Sequence, residues 1–248
     1  TTTAGAMTKL LVCLLAVLLD HWLDEPRRGH PLAGFTRLAE AARARWDGQA
    51  VRWRGALAWV ALVLPLCAAA GLLAALPSVG LLFEVLLLYL ALGAASLAQH
   101  GRAVAAALGG GELPAAKQRV QWMTGAEAGH LDAEEVAAAA VASVLENGNA
   151  AVFGALFWYL ALGPAGVIAY RLTHTLATVW SGPREFAWTA QRLDALLGWL
   201  PARLTALTYT LLGDSREAWR RWQRHRGPRV AVAAGAGRGL EFADQNLA

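Results

Sequence analysis

The polar side chains that stand inside or beside apolar runs are the ones able to do chemistry in this chain, and they fall into three groups. Asp20 and Asp24 close the first apolar stretch, and His30 follows shortly after. Four residues apart, the two acids share one face if the helix continues. Two carboxylates could hold Mg²⁺, and the imidazole would complete an acidic–imidazole cluster at a membrane boundary. The plain alternative, that Asp24 and Glu25 only end the helix, stays open. Glu146, Asn147 and Asn149 stand at the mouth of a later apolar run. One carboxylate and two amides can bind a polar ligand through complementary hydrogen bonds, although ENGN also reads as a simple helix break. Arg192, Asp194 and Arg203 flank a Trp and a Pro near the end of the apolar sequence. Arg192 and Asp194, two apart, do not face each other on a helix. A guanidinium buried without a partner is too costly, so a carboxylate or phosphate is expected beside Arg203. A ligand or catalytic role and a structural ion pair fit it equally.

Other chemistries find no support in the residues. There is no nucleophile elbow, dinucleotide fingerprint or zinc spacing. The GAGRG run at 235–239 is Gly-rich, but no P-loop lysine follows it. Cys13 and Cys67 both lie in apolar runs, where a thiol is an ordinary small hydrophobe.

The elements that must position these groups are apolar helices. The chain has 248 residues, 56% apolar and only 16% charged, where soluble domains run near 25% charged. Eleven Trp is a high number, and several sit at the ends of apolar runs, as rings at a membrane–water interface do. The expected fold is all-α: an integral membrane helical bundle of about five transmembrane or re-entrant helices with amphipathic cytoplasmic helices. Residues 1–6 read as an expression remnant ahead of Met7, and 7–248 as a single membrane domain. Spans are expected at about 8–23, 56–76, 79–98, 150–170 and 196–212. Pro65 and Gly163-Pro164 should kink two of them. The 196–212 run contains Pro201 and Arg203, which suits a broken span buried against protein. Pro77 and Ser78 make the second and third spans an antiparallel hairpin. Leu32–Arg54 is amphipathic and basic; an interfacial helix followed by a loop and a plain connector fit it equally. Residues 99–147 read as a helical cytoplasmic loop, in which Asp132 and Glu135 have the spacing of a capping box.

The formal net charge is +4, which points to anionic lipid or to loop placement rather than nucleic acid. Arg27, Arg28, Arg37, Arg43, Arg45, Arg52 and Arg54 make 24–54 cytoplasmic, and Arg216, Arg220, Arg221, Arg224, Arg226 and Arg229 do the same for the basic tail, 213–248. Alternating sides then places 77–78 and 171–192 outside. The expected location is the bacterial inner membrane.

Four stretches also carry a family resemblance: LLDHWLDEPRRGHPLAGFTRLA at 18–39, LDAEEVAAAAVASVLENGNAAVFGALFW at 131–158, YRLTHTLATVW at 170–180 and RLDALLGWLPARLTALTYTLLGD at 192–214. In order and spacing they resemble the CobD/CbiB family of membrane-bound cobalamin-biosynthesis proteins, and the match spans most of the chain. The resemblance implies an adenosylcobinamide-phosphate synthase. Such an enzyme joins adenosylcobyric acid to aminopropanol or its phosphate through an amide bond, using ATP and Mg²⁺. It further implies Asp20, Asp24, Glu146, Asp194 and Arg203 as the catalytic set. Asp20 and Asp24 would be the metal ligands, and His30, Asn147, Asn149 and Arg192 would hold substrate or cofactor. Its partners would be a corrinoid substrate and membrane lipid, with a second copy of the chain or other cobalamin or cell-envelope proteins beside it.

The sequence departs from the family pattern mainly at polar positions. Ala150 stands where an Asp usually follows the Asn, and Ala142 replaces an acid. Ala126–Ala128 replaces Arg-Asp-Thr. His174 and Ala177 stand where the pattern has Asn and Asp, and Ala195 and Gly198 replace an Asp and an Asn. The 181–187 stretch is shorter, and the Ser-Pro-Asn before AAGAG is missing. Each lost acid is one fewer Mg²⁺ ligand or orienting acceptor. The stretches LFWYLALGPAGVIAYR and GWLPARLTALTYTLLGD also resemble an AmpE-like inner-membrane branch associated with β-lactam-resistance signalling. The alternative function is therefore a catalytically inactive membrane signalling or binding protein.

Overall fold

The computed structural model describes residues 2–23, 31–46, 52–180 and 185–212. Among them the chain is all helical: α1 (Thr2–Trp22), α2 (Pro31–Trp46), α3 (Arg52–Ala74), α4 (Gly80–Ala91), α5 (Ala94–Gly109), α6 (Leu113–Thr124), α7 (Ala133–Gly148), a π-helical turn (Asn149–Phe153), α8 (Gly154–Val179), a 3-10 turn (Glu185–Ala187) and α9 (Trp188–Leu212). Helix α1 already runs through residues 2–6.

Three helical runs are long and apolar enough to cross a membrane: Gly5–Trp22, Arg52–Ala74 and Ala133–Val179. Their outward faces carry leucines such as Leu14 and Leu18 on α1 and Leu64 and Leu72 on α3, all exposed. Apolar surface on that scale suits lipid, not water. The expected 79–98 span is not continuous. Helix α4 has 12 residues, about 18 Å against a hydrocarbon core of roughly 30 Å. Leu92 leaves the helix with φ −76° and ψ 160°, Gly93 follows at φ −150° and ψ 25°, and α5 then begins anew.

The 150–170 segment departs further from expectation. It is helical and apolar, but at Gly163 the backbone adopts φ 68° and ψ −153°, a conformation only glycine takes without strain. The kink read from Gly163-Pro164 is in fact a reversal. A Cβ on Gly154 would lie 2.2 Å from the hydroxyl of Tyr170, whereas a straight helix would hold those residues about 24 Å apart. The arm 154–162 and the arm 164–179 thus fold against each other. Pro164 has no N–H to give the carbonyl of Leu160, and the Lys9 ammonium donates to that oxygen instead, at 3.0 Å.

This reversal corrects the expected topology. The end of α8 returns to α2 and to the start of α3. Trp180 Nε1 donates to the Ala39 carbonyl at 2.9 Å, and Arg43 donates to the Val179 carbonyl at 2.8 Å. Arg52 forms a two-pronged ion pair with Glu185. Val179, Trp180 and Glu185 therefore lie at the same end of the bundle as Ala39, Arg43 and Arg52, not at the opposite one. A chain that crosses and folds back changes sides one time fewer than a straight span would require.

Three apolar clusters hold these elements. One joins α2, α3 and the second arm of α8 through Phe35, Ala58, Val63, Leu176 and Trp180, with the Phe186 ring tilted against Trp180 at 4.7 Å between centres. A second joins α1, α4 and the first arm of α8 through Val12, Leu88, Ala155 and Tyr159. The third belongs to α5, α6 and α7 through Val104, Val120, Met123 and Val136. That helical unit falls where a helical loop was expected, and it opens α7 with the anticipated capping box. Asp132 accepts from the Glu135 N–H at 2.8 Å, and the Glu135 side chain accepts from the Asp132 N–H at 2.9 Å. Both bonds satisfy donors that a helix start leaves over. Helix α2 buries Phe35 and Ala39 and exposes Arg37 and Arg45, as its amphipathic pattern requires.

Candidate functional site

The polar groups gather where α9 meets the π turn and the second arm of α8. Helix α9 has one inner face. Pro201 is buried, Thr205 is 3% exposed, and Asp194 lies on the same side. From Asp194 to Thr205 is three helical turns, about 16 Å. At the near end the Asp194 carboxylate meets His174 Nδ1 at 3.0 Å, the two side chains 27% and 33% exposed. At the far end the Thr205 hydroxyl donates to the side-chain oxygen of Asn149 at 2.7 Å. Between them Trp158 Nε1 donates to the Leu197 carbonyl at 3.0 Å.

Asn149 opens the π-helical turn. An extra residue in the turn widens the helix there, a feature that recurs at functional sites. The ENGN run is thus a local widening within helix rather than a helix end, since Gly148, Asn149 and Gly154 all keep right-handed helical dihedrals. Thr205 holds the Asn149 oxygen, which turns the amide so that its two N–H donors remain for a ligand. Asn147 donates to Ser143 at 3.0 Å, and the buried Ser143 passes its own hydrogen to the Met123 carbonyl at 3.2 Å. That chain ties the site to the α5–α7 unit.

The remaining expected residues are more scattered. Asp20 is 5% exposed at the end of α1, and Asp24 and His30 lie outside the described residues. Glu146 is exposed. Arg192 is exposed, its guanidinium 6.0 Å from the ring centre of Trp188, a ring that Arg52 also covers at 5.1 Å. Arg203 corrects an expectation: it is exposed, with its guanidinium 4.1 Å over Trp199. Two residues past Pro201, it points away from the inner face of α9. The acid expected beside this charge is not its partner; the ring one turn back covers the cation instead.

Among the described residues, no group of three or more His, Cys, Asp or Glu is placed to hold a metal ion. The two-carboxylate Mg²⁺ site is not assembled from them, and one of its acids, Asp24, lies beyond them.

Three participants were not singled out by their spacing. His174 showed only as a departure from the family pattern, and its carboxylate lies twenty residues on in another helix. Thr205 is one hydroxyl among several in α9. Glu84, the one charge in its apolar run, accepts a short hydrogen bond from the buried Tyr159 inside the second cluster. The isolated charge was the available signal for that pair.

The chain is 46% identical to the cobalamin biosynthesis protein CobD of Stutzerimonas stutzeri over 93% of its own length and 81% of that protein. It is 45% identical to the CobD protein of Chromobacterium violaceum over 93% of its length and 80% of that protein. The CobD protein of Rhodobacter capsulatus is 33% identical over 77% of this chain and 63% of its own. No solved structure matches. The profile of the CobD/Cbib protein family matches residues 13–238, and the chain belongs to that family of cobalamin-biosynthesis proteins.

Proposed function

We propose that this protein is an adenosylcobinamide-phosphate synthase. It forms an amide between a corrinoid carboxylate, that of adenosylcobyric acid, and the amine of aminopropanol or its phosphate, at the expense of ATP. The observation that carries the reading is the 46% identity, over 93% of the chain, to a protein named for cobalamin biosynthesis. A carboxylate does not react with an amine at useful rates, so the carboxyl must first be activated, and an acyl phosphate formed from ATP is the reasonable route. The protein must then hold two reactants in register and orient polar groups on them. The amide of Asn149, fixed by Thr205, and the His174–Asp194 pair are polar groups locked by neighbours in this way.

The reaction takes place at the inner membrane. The long apolar helices α1 and α3 supply full crossings, and the run that reverses at Gly163, the 12-residue α4 and the Pro201-interrupted α9 complete the membrane part of the bundle. With the arginines of 24–54 on the cytoplasmic side, Val179, Trp180, Glu185 and the start of α9 share that side, where ATP is available. The arginines of the tail 213–248 favour the same side. Membrane lipid covers the exposed leucines, and the corrinoid is the soluble partner.

The test is turnover by the full chain in nanodiscs supplied with adenosylcobyric acid, aminopropanol phosphate, ATP and Mg²⁺, followed by mass spectrometry. ATP-dependent product that disappears in Asp20→Ala supports the synthase. Corrinoid binding without product means a binding protein on a synthase fold. Neither binding nor product leaves the signalling branch.

A further inference from the structure

We infer that His174, held by Asp194, is the group that takes the proton from the amine when the amide forms. The inference rests on the synthase reading above and names the residue that performs one step of it.

The geometry is that of a base and its orienting acid. An ionised carboxylate can only accept, so the 3.0 Å contact puts the hydrogen of the neutral imidazole on Nδ1. The lone pair is then on Nε2. His174 has no other side-chain hydrogen bond among the described residues, and with a third of the side chain exposed the ring edge is reachable. The Tyr170 ring, one turn back, lies nearly parallel to the imidazole at 6.4 Å and limits its rotation. Nucleophile-activating bases are recognised by this arrangement, an imidazole fixed on one nitrogen and open on the other.

The chemistry needs such a group. A primary alkyl amine is an ammonium at neutral pH and has no lone pair until it loses a proton. Its nitrogen then attacks the acyl carbon, the C–N bond forms, and the C–O bond to the phosphoryl group breaks. Inorganic phosphate leaves with the electron pair. The proton that the ammonium gives up before attack passes to His174 Nε2, and the one that the attacking nitrogen then sheds leaves with the phosphate. The imidazolium so formed sits against the Asp194 carboxylate, which stabilises it without accepting the proton. Asp194 is a positioning residue in this scheme.

The experiment uses the full chain in nanodiscs with adenosylcobyric acid, MgATP and either of two nucleophiles. Aminopropanol phosphate needs a base, whereas hydroxylamine is largely unprotonated at neutral pH and does not. His174→Ala should lose about 100-fold in kcat with aminopropanol phosphate, a size usual for a removed general base. It should keep hydroxamate formation from hydroxylamine within a few-fold of wild type. Added imidazole should restore part of the amide rate in His174→Ala, while the bulkier His174→Gln leaves no room for it. Equal loss with both nucleophiles would assign His174 to activation or to structure and overturn the inference. Unchanged amide formation in His174→Ala would overturn it as well. A wild type inert toward both nucleophiles would sink the synthase reading itself, and the inference with it.

Discussion

The indole nitrogen of Trp158 donates to the main-chain carbonyl of Leu197 at 3.0 Å. Four residues after Leu197 stands Pro201, inside α9, with no N–H to give that oxygen. A side chain from the first arm of α8 therefore completes a helix that its own sequence interrupts. The contact also sets α9 against α8 between the His174–Asp194 pair and the Asn149–Thr205 bond, nearer the former.

Trp158→Phe keeps an aromatic ring and removes the donor. We expect it to cost about 1–3 kcal/mol, the penalty for a buried acceptor left unsatisfied, seen as a lower melting temperature in detergent. In a Pro201→Ala background α9 supplies its own N–H, and the same change should cost clearly less. Equal cost in both backgrounds would mean that ring packing, not the carbonyl, is what Trp158 provides.

Lys9 repeats the device at the other proline. Its ammonium serves the Leu160 carbonyl that Pro164 leaves over. Lys9→Met should destabilise the chain by roughly 1–3 kcal/mol, while Lys9→Arg, which keeps a donor, should retain most of the stability. Hydrogen exchange around 160–166 is the local readout, and faster exchange confined to Lys9→Met is the expected pattern.

Glu84 and Tyr159 hold α4 to the first arm of α8 inside an apolar cluster. Removing one partner strands the other, so Tyr159→Phe should cost about 1–3 kcal/mol. Replacing both, as Glu84→Leu with Tyr159→Phe, should be milder than the single change, because neither polar group is then left alone. A double variant less stable than Tyr159→Phe would contradict this.

Gly163 and Gly71 should respond oppositely to alanine. At φ 68° and ψ −153°, Gly163→Ala forces a side chain into a region that costs about 1–3 kcal/mol. Gly71, inside α3 with nothing within 4 Å of an added Cβ, should gain up to about 1 kcal/mol from the better helix former. Paired melting curves in one detergent decide it, and destabilisation by Gly71→Ala would point to a neighbour that needs the bare backbone.

Much of this architecture is legible in the residues themselves. The apolar runs read at about 8–23 and 56–76, which the structure forms as helices over 5–22 and 52–74, the capping box at Asp132 and Glu135, and the break at Gly163-Pro164 follow from short-range rules. Hydropathy over about twenty residues, one side-chain cap, or a missing N–H is enough. Asn149 and Asp194 were legible as site candidates for the same reason, since a polar group beside an apolar run needs a partner.

The direction taken after each break was not. Proline and glycine announce that a helix stops, but the return of 164–179 onto α3, and with it the placement of Val179 beside Arg43 and of Glu185 beside Arg52, depends on contacts more than a hundred residues apart. The break at Leu92 and Gly93 has no proline to announce it. The faces of α9 are a like case. Its outward side carries Leu200 and Leu204 and its inner side Leu197 and Pro201, so hydropathy cannot tell which meets protein. In lipid both environments are apolar, and small packing contacts make the choice. The sequence by itself determined a bundle of apolar helices, where its helices break, and which polar groups would need partners. Only the tertiary structure decided that Asp194 meets His174, that Asn149 meets Thr205, and that Arg203 faces outward over Trp199, because those pairings turn on how one helix is rotated against another.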